Sequence, residues 1–167
     1  PAAIRAAQLG ATVALVEREQ LGGTCLNWGC IPTKTLIASS NLYAHLRHAD
    51  AMGISAGAVT FDYGVMKQRK DHVVATLRNG VAQLLKGNGV KVFRGEGSFV
   101  DRRHIAVTGD GVSAPTVIEA GRVIIATGSE SSMPGFLPRS ERVVEARAFL
   151  DRTVLPETLL VLGGGII

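Results

Sequence analysis

Gly22-Gly23-Thr24-Cys25-Leu26-Asn27-Trp28-Gly29-Cys30-Ile31-Pro32-Thr33-Lys34 contains the only two cysteines of a 167-residue chain. Four residues separate them, between a glycine turn and a Pro-Thr-Lys helix start. On an ideal helix five steps rise about 7.5 Å, whereas bridged cysteines need Cα atoms within roughly 7 Å. A disulfide here therefore requires a tightened, irregular backbone, and Gly22, Gly23, Asn27 and Gly29 lower the conformational barrier to one. Nothing else in the stretch could complete a metal-ligand set. Two close sulfurs in this setting point to a redox couple.

Upstream, residues 2–9 read as a helix that Gly10 ends. Thr12-Val13-Ala14-Leu15-Val16 is a β-branched-rich buried strand closed by Glu17. A helix, a strand and a terminal carboxylate are the later parts of a dinucleotide-binding βαβ unit. The first strand and glycine loop of that unit would precede Pro1. Glu17 then takes the position of an acidic side chain that accepts hydrogen bonds from a ribose. The plainer reading is a surface glutamate at a strand end.

Downstream, Pro32 suits the first turn of a helix running to about Arg47, because its missing N–H is not needed there. His45 and His48 share one face of that helix, a spacing that can hold a metal, but no third ligand is evident, so the pair is read as solvated and no metal site is assigned. Residues 66–85 form a long helix, with Met66, Val73, Leu77, Val81, Leu84 and Leu85 at helical spacing. Its basic face (Lys67, Arg69, Lys70, Arg78 and Lys86) reads as solvated. From Val90 the period shortens to two, and strands are expected at 90–93, 98–100, 105–107, 117–118 and 123–126. These make a small antiparallel excursion whose last strand returns to the main sheet. A short helix at 147–150 follows. A strand at 159–162 then feeds Gly163-Gly164-Gly165, the opening of a second glycine-rich loop.

Composition narrows the class. The chain is 46% hydrophobic, enough for a core, and no run approaches the roughly 18 apolar residues of a membrane span. The net charge of +4 is spread along the chain, so a solvated surface is favoured over a nucleic-acid footprint. No secretory leader is visible, which favours a cytoplasmic catalytic pair over a structural bridge.

The 22–34 block resembles the redox-active segment of the class I pyridine nucleotide-disulfide oxidoreductases. Its wording from Leu26 to Lys34 is most similar to the dihydrolipoyl dehydrogenase branch. Glutathione and mercuric reductases are similar but usually carry valines around the second cysteine. The likeness extends through Gly95-Glu96-Gly97, Ala126-Thr127-Gly128-Ser129 and Gly163-Gly164-Gly165. It implies a Rossmann-like α/β FAD-binding domain, a redox-active Cys25–Cys30 disulfide, and electron flow from a dithiol through FAD to NAD⁺. In that scheme Cys25 is the interchange thiol, and Cys30 lies against the isoalloxazine as the charge-transfer thiolate. Lys34 contacts the flavin near N5; its other reading is an exposed lysine. Glu17, Gly22, Gly23, Thr24, Cys25, Gly97, Thr127, Gly128 and Ser129 serve FAD, and Gly163 and Gly165 serve NAD.

The resemblance also implies a homodimer that works with the lipoyl-bearing component of a 2-oxo acid dehydrogenase complex or a glycine cleavage system. Similar enzymes take a His–Glu base from the partner subunit, and none of His45, His48, His72 or His104 sits in a matching motif. The expectation is an internal segment of a larger enzyme, inactive by itself. Residues 1–155 would be the FAD-binding domain and 156–167 the start of an NAD-binding domain. Competing readings are a glutathione-type or mercuric reductase, and a non-catalytic nucleotide-binding module with a structural disulfide.

Overall fold

The computed structural model describes residues 1–109 and 114–165, and Ile166 and Ile167 of the second glycine stretch lie outside the described residues. The chain divides into two compact units, Pro1–Gly23 with Leu77–Gly128, and Thr24–Thr76 with Ser129–Ile167.

In the first unit, helix α1 (Ala2–Gln8) leads through Gly10, whose φ is 89°, into strand β1 (Ala14–Glu17). β1 pairs in parallel with β2 (Lys91–Arg94), Glu17 standing opposite Arg94. Alternation puts Val13 and Leu15 of the first segment, and Val90 and Val92 of the second, on one face. There they meet Ala3, Ile4 and Ala7 of α1, together with Leu21, Val81 and Leu85. This parallel pair with helices on one face is the α/β core, and residues 90–93, expected in the antiparallel excursion, belong to it instead because they find a parallel partner in β1.

After β2 the chain turns at Gly95, whose φ of 144° excludes side chains; a Cβ there would run into the Thr108 carbonyl. β3 (Glu96–Phe99), β4 (His104–Thr108) and β5 (Thr116–Glu119) then form the expected antiparallel excursion, in the order β3-β4-β5. Ala106 and Val107 are its buried residues.

The second unit begins with a difference from expectation. Thr24 to Trp28 are not an irregular turn but most of a short helix, α2 (Gly23–Trp28), and the break falls at Gly29. α3 (Cys30–Arg47) starts immediately afterwards, with Pro32 in its first turn and almost wholly buried. A 3-10 turn (Ala49–Met52) follows. The long helix α4 (Tyr63–Gly87) exceeds the expected span at both ends and contributes its first part to this unit and its last part to the other. α5 (Ala146–Leu150) is the expected short helix.

Two expected strands do not form. Residues 123–126 and 159–162 have no ladder partner among the described residues, and Ile124 and Leu160 are 72% and 90% exposed. Apolar composition favours a strand only where a neighbour supplies N–H and C=O groups to pair with. The basic face of α4 also departs from expectation. Lys70 is only 3% exposed, so that face is not simply solvated. No described helix is long and apolar enough to cross a membrane.

Candidate redox-active site

Cys25 and Cys30 are joined by a disulfide with Cα atoms 4.7 Å apart, and among the described residues there is no free cysteine. An unbroken helix would hold these Cα atoms farther apart; the interruption at Gly29 folds α2 back so that the sulfurs meet. Gly29 has φ −134° and ψ −108°. A Cβ on it would lie 3.3 Å from both the Cys25 Cα and the Thr24 carbonyl oxygen, so the close approach of α2 and α3 depends on its missing side chain.

The two sulfurs differ in setting. Cys25 is exposed on a six-residue helix, while Cys30 is half-buried as the first residue of the 18-residue α3. The unsatisfied N–H groups of a helix N-terminus favour negative charge beside them, and hence a thiolate at Cys30 over one further along the helix. Lys34 is exposed one turn later.

Several contacts hold this segment from within its own unit. The Thr35 hydroxyl donates to the Ile31 carbonyl at 2.8 Å, and Arg69 of α4 donates to the Thr35 carbonyl at 3.1 Å. The neighbouring Lys70 ammonium donates to the Leu150 carbonyl at 3.1 Å. It also pairs with Asp71 at 2.6 Å and Asp151 at 3.3 Å, and Lys67 completes the network with a 2.6 Å bond to Asp71. Burial pushes the Asp71 carboxyl up, but hydrogen bonds from Lys67 and Lys70 outweigh it and hold it below the usual carboxylate range. α5 returns Arg147 to the cysteine segment, its guanidinium carbon 3.8 Å from the centre of the Trp28 ring. Sequence reading missed Arg69, Lys70 and Arg147 because nothing local distinguishes a bracing cation from a solvated one.

The other predicted site residues divide between the units. In the first, Glu17 ends β1, its main-chain carbonyl accepting from Gly95 N–H at 3.0 Å and its carboxylate from Glu19 N–H at 2.8 Å. Gly97 of β3 lies against Val16, so the structure brings Gly97 beside the strand that carries Glu17. Gly22 and Gly23 have φ of 110° and 74°, and Thr127 and Gly128 lie in exposed coil with Gly128 at φ 81°. In the second unit are Thr24, Cys25, Cys30 and Lys34, with Ser129, Gly163 and Gly165 in exposed coil. His45 and His48 are exposed, and no group of three metal-ligating side chains occurs among the described residues.

Comparison with known proteins agrees with this geometry. The sequence profile described as pyridine nucleotide-disulphide oxidoreductase matches residues 1–167. Dihydrolipoyl dehydrogenases from Geobacillus stearothermophilus and Chlamydia muridarum are 45% and 42% identical, each over 99% of this chain. The aligned region is 35% and 36% of those proteins, so the chain spans about a third of the length of these relatives. Among solved structures, LpdA from Mycobacterium tuberculosis superposes with a TM-score of 0.76 at 26% identity, over 93% of this chain and 34% of that one. The HOCl-induced flavoprotein disulfide reductase RclA from Escherichia coli gives 0.73 at 28% identity, over 92% and 32%.

Proposed function

From the premise that the chain belongs to the pyridine nucleotide-disulphide oxidoreductase family, we propose that it is the flavin-binding, dithiol-bearing part of an enzyme that oxidises dihydrolipoamide with NAD⁺. The observation that carries this reading is the Cys25–Cys30 disulfide set at the break between α2 and α3. The names of its relatives favour dihydrolipoamide over glutathione disulfide or Hg²⁺ as the substrate.

The chemistry assigned to the residues is thiol–disulfide exchange. A substrate thiolate attacks the exposed Cys25 sulfur, the Cys25–Cys30 bond breaks, and Cys30 leaves as a thiolate favoured by the start of α3. The second substrate thiolate attacks the mixed disulfide at the substrate sulfur, which releases Cys25. The substrate departs as its cyclic disulfide, and the two electrons remain on Cys25 and Cys30. Attack on Cys25 first follows from its greater exposure.

FAD is implied by the family and suits the residues present. Glu17 offers a carboxylate acceptor at the C-terminal end of a parallel strand, the usual place for a ribose contact. Gly23 and Gly128 have positive φ, and a Cβ on either would meet nothing within 4 Å, so main chain is open to close approach there. Glu17, Gly22, Gly23, Thr24, Lys34, Gly97, Thr127, Gly128 and Ser129 are assigned to holding it. FAD, when bound, supplies the two-electron acceptor between the dithiol and NAD⁺. Gly163 and Gly165 are assigned to the opening of an NAD-binding domain at 156–167, after a FAD-binding domain at 1–155.

The same reading makes the parent protein a cytoplasmic homodimer serving the lipoyl-bearing component of a 2-oxo acid dehydrogenase complex or a glycine cleavage system. The full-length protein should reduce NAD⁺ with dihydrolipoamide, and Cys25→Ser and Cys30→Ser should each abolish that turnover. Turnover of glutathione disulfide or Hg²⁺ in place of dihydrolipoamide would reassign the substrate.

A further inference from the structure

Three contacts described above close a ring around the cysteine segment. Arg69 of α4 holds α3 at Thr35, five residues after Cys30. The adjacent Lys70 holds the end of α5 at Leu150 and Asp151. One turn back along α5, Arg147 lies over Trp28, which stands between the two cysteines next to the Gly29 break. α4 thus fixes α3 and α5 from neighbouring residues, and α5 closes the ring on Trp28.

We propose that Arg147 is a positioning residue for the dithiol: stacked on Trp28, it holds the α2–α3 break in the conformation in which Cys25 and Cys30 meet. The proposal rests on the redox reading of the pair and adds to it the residue that sets how readily the pair closes. Arg147 acts through Trp28 and takes no part in sulfur exchange. A planar guanidinium suits the task because it lies flat on an indole, which a lysine ammonium cannot do equally well.

The consequence is thermodynamic. The stack exists with the disulfide closed. If opening the disulfide loosens the segment and weakens the stack, then by reciprocity the stack must favour closure. Exposed cation–π contacts contribute about 0.5–1 kcal/mol. Removal should therefore shift the closure equilibrium about two- to fivefold toward the dithiol. Two glutathione thiols reduce the pair: the Cys25–Cys30 bond breaks, one glutathione disulfide forms, and two electrons and two protons pass to the cysteines.

The test is to equilibrate the full-length protein in glutathione buffers of graded ratio, trap thiols by alkylation, and quantify the peptide carrying Cys25 and Cys30 by mass spectrometry. Arg147→Ala and Trp28→Ala should each shift the midpoint toward the dithiol by about two- to fivefold. The double variant should shift no further than either single one, and Arg147→Lys should recover part of the loss. A purely structural role elsewhere would leave this equilibrium unmoved. Wild-type midpoints in both single variants, or shifts that simply add in the double variant, would overturn the clamp while leaving the redox reading intact. A wild-type pair that never closes in any buffer would overturn the redox reading, and the clamp with it.

Discussion

Gly97 of β3 stands so close to Val16 of β1 that a Cβ on it would lie 3.3 Å from the Val16 Cγ1. Val16 immediately precedes Glu17, so the absent side chain at 97 sets where the end of β1 rests. Gly97→Val should overpack this contact and lower stability by about 1–3 kcal/mol, and Gly97→Ala, which adds only the crowding Cβ, should cost less. Urea unfolding of the full-length variants checks the first effect. Flavin release on dilution, expected to be faster for Gly97→Val, checks the second.

Glu17→Ala removes the carboxylate assigned to the ribose. Hydrogen bonds to a charged group are worth about 1.5–3 kcal/mol, so FAD should dissociate about ten- to a hundredfold more readily. Titration of the apoprotein with FAD measures this, and unchanged affinity would return Glu17 to the role of a surface glutamate bonded to its own turn.

Asp71 links Lys67 to the buried Lys70, and its pKa is held below the usual carboxylate range because their hydrogen bonds outweigh its desolvation. A carboxylate depressed on folding contributes stability that is complete above its unfolded pKa and is lost as pH falls through the folded one. Asp71→Asn should therefore be less stable than wild type by about 1 kcal/mol near neutrality, a modest value because the carboxylate is half exposed. The gap should close as pH drops from about 4 downward. Acid titration of both proteins by circular dichroism follows it, and a gap constant down to pH 2 would contradict the assignment.

The two cysteines should be separable by spectrum. Cys25→Ser leaves Cys30 at the start of α3, where a thiolate is favoured. That variant should retain a long-wavelength thiolate-to-flavin absorption band that Cys30→Ser lacks. Identical spectra would reverse or abolish the division of roles.

What the sequence made legible follows from how local each signal is. Cys25, Gly29, Cys30 and Pro32 act within a few residues of each other, and the disulfide and the start of α3 agree with the reading of that block. The place of Glu17 at the end of β1 was readable because strand and carboxylate are contiguous, and period-two alternation from Val90 onward located β2 to β5. Lys70 was not readable, since two of the groups that bury it, Leu150 and Asp151, lie 80 and 81 residues away and a helical lysine is ordinarily solvated. Nor was Arg147, whose partner Trp28 belongs to a distant part of the chain. Residues 123–126 and 159–162 misled because β propensity says nothing about whether a pairing strand is present.

The central claim is that Cys25 and Cys30 exchange electrons with a substrate dithiol, and thiol trapping tests it most directly. The oxidised full-length protein would be alkylated under denaturing conditions before and after anaerobic incubation with dihydrolipoamide, and the peptide carrying both cysteines analysed by mass spectrometry. The account predicts no label on Cys25 or Cys30 beforehand and label on both afterwards. Two thiols already labelled in the oxidised protein, or a disulfide that dihydrolipoamide leaves closed, would contradict it.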